Sequence, residues 1–130
     1  MGHRKRILVV DDNERVRFII GDALGKLGDD YQIVTAGDGR TALDKAKETY
    51  YDLLITDLRL PRSDGLALTA AFATVSPRTT VIWITAYGCH RFASAQKSLD
   101  VSVCLNKPIE IQDIRRAALD ALMRDGTSRK

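Results

Sequence analysis

The sequence predicts an α/β protein, a doubly wound sheet of five parallel strands with five helices packed over its two faces. Three observations predict it. Short, almost wholly apolar runs alternate with longer stretches whose apolar residues recur at helical spacing. The short runs lack polar alternation, as expected of strands covered on both sides. Each run is separated from the next by a helix-length segment, which imposes crossover connections and parallel pairing.

Ile7–Val10 is the first strand and runs into Asp11-Asp12. Val16, Ile19, Ile20, Ala23, Leu24 and Leu27 follow the i, i+3, i+4, i+7 rule and predict the first helix, with Gly28 at its stop. Tyr31–Ala36 is the second strand; the turn Gly37-Asp38-Gly39 follows, and Ala42, Leu43 and Ala46 line the second helix. Leu53–Thr56 is the third strand and ends at Asp57. Pro61 and Asp64-Gly65 make Leu58–Gly65 a loop, after which Leu66–Val75 reads as a third helix that Pro77 ends. Val81–Ile84 is the fourth strand, ending at Thr85, and a weaker helical pattern covers about Arg91–Leu99. Val101–Leu105 is the fifth strand, ahead of Lys107-Pro108, and Ile111, Ile114, Ala118, Leu119 and Leu122 form the last apolar stripe. Five such units make a flavodoxin-like fold. The strand order 2-1-3-4-5 is carried over from that class and not read from the residues. The expected organisation is a basic tail over 1–6, one folded domain over 7–124, and a tail or linker stump over 125–130.

At 130 residues, 45% hydrophobic and 28% charged, the chain has the composition of one ordinary globular domain with a core of its own. No apolar run approaches the roughly 20 residues that span a membrane. The run Ile7–Val10 is too short for a signal peptide, so the expected location is cytoplasmic. Cys89 and Cys104 stand outside any C-x-x-C pattern and are expected to be free thiols in a reducing cytosol. With only two His besides, they lack the spacing of a zinc site. The net charge of +3 gathers at the ends, in Arg4, Lys5, Arg6, Arg129 and Lys130. That reads as solvated tails and not as an organised nucleic-acid face. Neither a G-x-G-x-x-G turn nor a phosphate-binding lysine loop is present.

Open parallel sheets bind ligands at the carboxyl ends of their strands. This sequence puts Asp11 and Asp12 after the first strand, Asp57 after the third, Thr85 after the fourth and Lys107 after the fifth. Polar residues are common in such loops because the loops are solvated, so none of them carries an argument alone. Together they offer three carboxylates, a hydroxyl and an ammonium to one rim. Crowded carboxylates repel unless a cation intervenes, and a hard ion such as Mg²⁺ needs only one or two carboxylates plus other oxygens. Asp57 would then be a carboxylate beside a metal, able to attack phosphorus and form an acyl phosphate. Such a transfer needs positioning and charge neutralisation, which Lys107 and Thr85 could supply.

Val10-Asp11-Asp12, Ala36-x-x-Gly39, Asp57-Leu-Arg-Leu-Pro61-x-x-Asp64-Gly65, Thr85-Ala86 and Lys107-Pro108, in this order and spacing, resemble the response-regulator receiver family over about Ile7–Met123. The resemblance implies that Asp57 is the phosphoacceptor, that Asp12 binds Mg²⁺ directly (or Mn²⁺ in its place) with Asp11 acting through water, and that the Arg59 backbone carbonyl is a further ligand. Thr85, with Ala86 beside it, resembles the switch hydroxyl, Lys107 its phosphoryl-binding partner, and Lys107–Pro108 is expected to be cis. The implied donor is the phosphohistidine of a sensor histidine kinase or phosphotransfer protein, or a small acyl phosphate. The implied activity is that of a switch catalysing its own phosphorylation and slow autodephosphorylation, not of an enzyme acting on other substrates.

The implied output is a changed surface on the fourth helix, fifth strand and fifth helix, read by a downstream protein or a second copy, with Arg91, Arg115 and Arg116 available for contacts. No direct contact with nucleic acid or membrane is expected of this chain. Cys104 stands where the family often has the Tyr or Phe that swings inward with the threonine. Leu60 replaces a common Met, and Leu99-Asp100 a frequent Gly-Ala pair. Arg59 and Tyr87 flank the route of an attacking water and are expected to tune dephosphorylation. Phe18 falls off the apolar stripe of the first helix and is a candidate kinase contact. Two alternatives stay open: a receiver-like binding module that acts without phosphorylation, and the receiver piece of a longer DNA-binding regulator. An aspartyl phosphohydrolase would carry an Asp-x-Asp nucleophile after its first strand, where this chain has an adjacent pair.

Overall fold

Consecutive apolar residues make a stable strand only where both faces of the sheet are covered, and the computed structural model, which describes residues 4–60 and 63–125, covers them with helices on both sides. In chain order the elements are β1 (Lys5–Val10), α1 (Glu14–Gly25), β2 (Tyr31–Ala36), α2 (Gly39–Glu48), β3 (Leu53–Asp57), α3 (Gly65–Val75), β4 (Thr80–Thr85), α4 (Ala93–Ser98), β5 (Val103–Asn106) and α5 (Ile111–Asp125). A two-residue antiparallel ladder, Arg59–Leu60 with Ser63–Asp64, lies between β3 and α3, outside the main sheet and its numbering. The main sheet is parallel throughout, in the order β2-β1-β3-β4-β5. This is the flavodoxin-like order 2-1-3-4-5.

Alternate residues of each strand face opposite layers. Ile7, Val9, Leu53, Ile55, Ile82 and Ile84 pack with α1 and α5 through Ile20, Leu24, Ile114 and Ala118. Leu8, Val10, Leu54 and Trp83 pack on the other side with α2 and α3 through Ala42, Leu68 and Phe72. Asn13, Asp38 and Asp64 each cap a helix, accepting from the backbone N–H of Val16, Thr41 and Ala67. The indole Nε1 of the fully buried Trp83 donates to the Thr69 hydroxyl at 2.8 Å, which in turn donates to the Gly65 carbonyl.

Several boundaries differ from the sequence expectation. Lys5 and Arg6 belong to β1, not to a tail: the Arg6 N–H donates to the Asp52 carboxylate at 2.8 Å, and Lys5 lies 3.9 Å from the same group. The first helix ends at Gly25, ahead of Gly28. The fourth helical stretch divides into a 3₁₀ turn, Cys89–Phe92, and the six-residue α4. Val101 precedes β5, in a turn for which Asp100 adopts φ 57°. That left-handed conformation is one Asp tolerates better than most residues. Helix α5 reaches Asp125. Pro61 and the tail residues 1–3 and 126–130 lie outside the described residues.

The cysteines require a correction. They are not free thiols: Cys89 and Cys104 form a disulfide, with Cα atoms 5.8 Å apart. β5 pairs with β4 so that Cys104 lies opposite Trp83, and the 3₁₀ turn folds back over the end of the same strand pair. Residues 15 apart in sequence thereby come within bonding distance.

Candidate functional site

Parallel strands deliver their C-terminal ends to one rim. Asp11 follows β1, Asp57 ends β3, Thr85 ends β4 and Lys107 follows β5. The register holds them level: Val10 pairs with Thr56, Asp57 with Ile84, and Thr85 with Asn106. Backbone bonds continue past the strands, from Leu58 N–H to the Ile84 carbonyl at 3.1 Å and from Lys107 N–H to the Thr85 carbonyl at 2.8 Å.

The lysine ammonium lies between two acids, 2.7 Å from Asp57 Oδ2 and 3.0 Å from Asp11 Oδ2. Their second oxygens accept backbone N–H groups, Asp57 Oδ1 from Arg59 and Asp11 Oδ1 from Asn13, both at 2.9 Å. Asp11 is fully buried, Asp57 is 6% exposed, and Asp12 is exposed. Among the described residues, Asp11, Asp12 and Asp57 form a group whose carboxylate oxygens lie within 4.8 Å of one another. A cleft of about 440 Å³ opens beside them, lined by Asp12, Asp57, Arg59, Leu60, Ala86, Tyr87 and Lys107.

Burial pushes the Asp11 carboxyl above its ordinary 3.8; the Asn13 N–H and Lys107 oppose this, and the charge on Asp57 adds to it. For Lys107, burial works against the charged form, but its hydrogen bonds to Asp57 and Asp11 and their charges outweigh it, so the ammonium titrates above 10.5. The site is thus an acidic pocket with the Lys107 ammonium held between two of its carboxylates. Three oxygen donors at such separation suit a hard divalent ion, which would share the neutralising role with the lysine.

The remaining expected residues fall around this pocket. The buried Thr85 hydroxyl accepts the Tyr87 N–H at 3.0 Å, within its own loop. The Arg59 guanidinium donates to the Tyr87 hydroxyl and lies 5.4 Å from its ring centroid, so the two side chains meet across the mouth of the cleft. The Lys107–Pro108 peptide is cis. Phe18 sits on α1, 71% exposed with Ile19 beside it. Of the arginines considered for surface contacts, Arg115 donates to the Ala23 carbonyl at 2.9 Å and joins α5 to α1.

Sequence reasoning missed three contributors. Arg17 reaches back from α1 and donates to the Asp11 carbonyl at 2.7 Å. Asn13 caps α1 and also orients Asp11, and its position before a helical pattern was the available signal. Gly65 returns the loop against β3 so closely that a Cβ there would overlap the Asp57 carbonyl and the Leu58 backbone. Only glycine fits, and the Asp-Gly pair that ended the loop was its trace.

A five-stranded doubly wound sheet with carboxylates, a hydroxyl and an ammonium on its strand-end rim places the chain in the flavodoxin-like class of α/β proteins. The family model described as the response regulator receiver domain matches residues 7–119, and the chain belongs to that family, the receiver module of two-component systems. It is 31% identical over 113 residues to the sporulation initiation phosphotransferase F of Bacillus subtilis (strain 168), covering 87% of this chain and 90% of that one. It is 33% identical over 110 residues to the sensor histidine kinase RcsC of Escherichia coli (strain K12), covering 85% of this chain but 11% of that protein. The crystal structure of a CheY-like receiver domain protein from Methanospirillum hungatei JF-1 superposes with a TM-score of 0.89 at 22% identity, covering 96% of this chain and 98% of that one, and supports the fold. Among the described residues, no helix is long and apolar enough to cross a membrane.

Proposed function

We propose that this chain is a phosphorylation-controlled signalling switch that takes a phosphoryl group on Asp57 from the phosphohistidine of a partner kinase or phosphotransfer protein, in a Mg²⁺-dependent reaction in the cytoplasm. The observation that carries the reading is the contact of the Asp57 carboxylate with Lys107 at 2.7 Å, inside a cluster of three carboxylates.

In this reading an Asp57 oxygen attacks phosphorus in line, an O–P bond forms, the N–P bond of the phosphohistidine breaks, and the imidazole leaves with its electron pair. Asp12 and Asp57, with the Arg59 backbone carbonyl and Asp11 through water, would hold Mg²⁺ or Mn²⁺. When bound, the ion neutralises charge on the phosphoryl oxygens. The Arg59 N–H on Asp57 Oδ1 fixes the carboxylate plane, which leaves Oδ2, now on Lys107, as the reacting oxygen. Lys107 would shift from Asp57 Oδ2 to a phosphoryl oxygen while keeping Asp11. Thr85 would exchange the Tyr87 N–H for another phosphoryl oxygen, beside Ala86, and draw the loop after β4 inward. Arg59 and Tyr87 would screen the acyl phosphate from water, and exposed Phe18 on α1 would meet the kinase. The changed α4–β5–α5 surface would be read by a downstream protein or a second copy.

Incubation with acetyl phosphate and Mg²⁺ followed by intact mass tests the reading. Gain of one phosphoryl group, absent in Asp57→Asn and absent without the metal, is the expected result. No gain in the parent would favour a receiver that acts by binding alone.

A further inference from the structure

We infer that Cys89 and Cys104 are a redox-controlled latch on the switch loop: bonded, they hold the turn after β4 to β5; reduced, they release it. The proposal rests on where the bridge sits. Cys89 lies four residues after Thr85, and Cys104 three before Lys107, so the bond joins the two segments that carry the hydroxyl and the ammonium of the site. It also encloses all of α4 in the loop it closes. Apart from the bond, the latched segment is held by partial burial, with Phe92, Ala95 and Leu99 resting against the core on the α2–α3 side. Neither the 3₁₀ turn nor α4 has a buried residue. The Cys89 N–H donates to Asn106 Oδ1 at 2.8 Å, and Gly88 bends the chain just before it at φ 91°.

The location also bears on chemistry. Both cysteines are half-buried, within reach of a small thiol. A receiver must meet its kinase where thiols are mostly kept reduced, and disulfides there are characteristically transient or redox-sensing. Opening runs by exchange with a small thiol such as glutathione. Its thiolate attacks one sulfur, which frees the other cysteine and leaves a mixed disulfide; a second glutathione thiolate then attacks the glutathione sulfur of that mixed disulfide and displaces the cysteine still bound. In sum the Cys89–Cys104 bond breaks, one glutathione disulfide forms, and two electrons and two protons pass to the cysteines. Glutathione disulfide drives the reverse.

The direction of control follows from the geometry. For Thr85 to turn toward Asp57 it must give up the Tyr87 N–H, and the turn carrying Tyr87 has to rearrange to satisfy that freed N–H elsewhere. The bond pins that turn two residues further on, at Cys89. The oxidised protein therefore resists the phosphorylated arrangement and the reduced protein permits it. Coupling is reciprocal, so phosphorylation makes the bond easier to reduce. This last consequence rests on the phosphoacceptor reading above, whereas the latch itself does not.

The test uses the full chain equilibrated against glutathione at ratios from reducing to oxidising. Thiol alkylation and intact mass follow the bond, and hydrogen exchange follows residues 86–99. We expect reversible interconversion within the range glutathione can set, and faster exchange of residues 86–99 in the reduced form. Phosphorylation by acetyl phosphate and Mg²⁺ should be about fivefold slower when oxidised, a barrier higher by about 1 kcal/mol. A Cys89→Ala, Cys104→Ala variant should match the reduced parent whatever the poise. If neither form takes a phosphoryl group, the phosphoacceptor reading fails, and hydrogen exchange alone decides the latch. A bond that glutathione cannot open, or equal exchange in both forms, overturns the latch. Equal phosphorylation rates in both forms overturn its control of the switch.

Discussion

The centre of the sheet and its β5 edge both contribute to the site and are built quite differently. In β1 and β3, Ile7–Val10 and Leu53–Ile55 are wholly buried, and each strand has a partner on both sides. In β5, Val103, Cys104 and Leu105 are only half-buried and Asn106 is exposed; among the described residues the strand pairs with β4 alone and forms an edge of the sheet. The helix leading into it has six residues, against eleven in α3 and fifteen in α5. The acidic groups stand on the rigid half, and Lys107 follows the sparsely packed strand. Crowded charges need fixed positions to hold a metal. A group that changes partner needs a support able to move at small cost, and such supports come from the least stable parts of a fold.

The comparison breaks most directly if the same deletion costs the same in both halves. Val9 in β1 is fully buried and Val103 in β5 is half-buried, and both face the layer of α1 and α5. Val9→Ala removes two carbons from a site with no room to relax and should cost about 3 kcal/mol from lost burial plus the cavity. Val103→Ala should cost about 1 kcal/mol, since solvent already reaches it. Urea denaturation with the disulfide intact measures both, and equal losses would mean that the edge is packed as firmly as the centre.

The same division governed what could be read from sequence. β3 and β4 were legible because apolar residues in unbroken runs have few alternatives to a sheet covered on both sides, and the strand-end residues followed once those runs were placed. At the edge, apolarity reported burial and not strand: Val101 is 7% exposed, yet it sits in the turn after α4. Lys5 and Arg6 gave the opposite error. Their charge suggested a tail, but Asp52, distant in sequence, pairs with them and brings them into β1. The disulfide was illegible for a similar reason: its cysteines meet only through the register of β4 with β5 and the fold-back of a 3₁₀ turn, which no local pattern records. The chemical identities of the site residues were legible, but their supports were not. Arg17 acts through a backbone carbonyl, and Gly65 acts by the absence of a side chain.

Lys107 is the joint between the two halves, and titration sharpens its role. Its folded pKa is raised above 10.5, because its bonds and charge interactions with Asp57 and Asp11 outweigh burial. A raised ammonium pKa means that the pairing stabilises the fold fully below 10.5 and ceases to do so as pH rises through the folded value. Lys107→Met should therefore cost about 1–2 kcal/mol in metal-free protein at neutral pH, less than a fully buried pair because the lysine is partly exposed. The gap from the parent should close in alkali above that value. Added Mg²⁺ should narrow it at neutral pH by supplying the missing cation. A gap independent of both pH and metal would show that the lysine contributes packing and not charge.

The smallest effect expected is kinetic, and it concerns the contact that ties the loop after β3 to the loop after β4. Arg59 donates to Tyr87 over the cleft, and both lie two residues beyond the groups they cover, Asp57 and Thr85. Water attacking an acyl phosphate on Asp57 must approach past them. The Arg59→Ala, Tyr87→Ala double variant should lose its phosphoryl group a few-fold faster than the parent, a change of under about 1.4 kcal/mol in barrier. Stability should be nearly unchanged, since both side chains are exposed. Decay of the labelled acyl phosphate in the presence of Mg²⁺ measures this. If the parent decays as fast or faster, the contact screens nothing, and the two loops meet over the site without regulating it. If the single variants each account for the whole change, screening depends on the pair acting together, as expected of one contact shared between the rigid half of the molecule and the movable one.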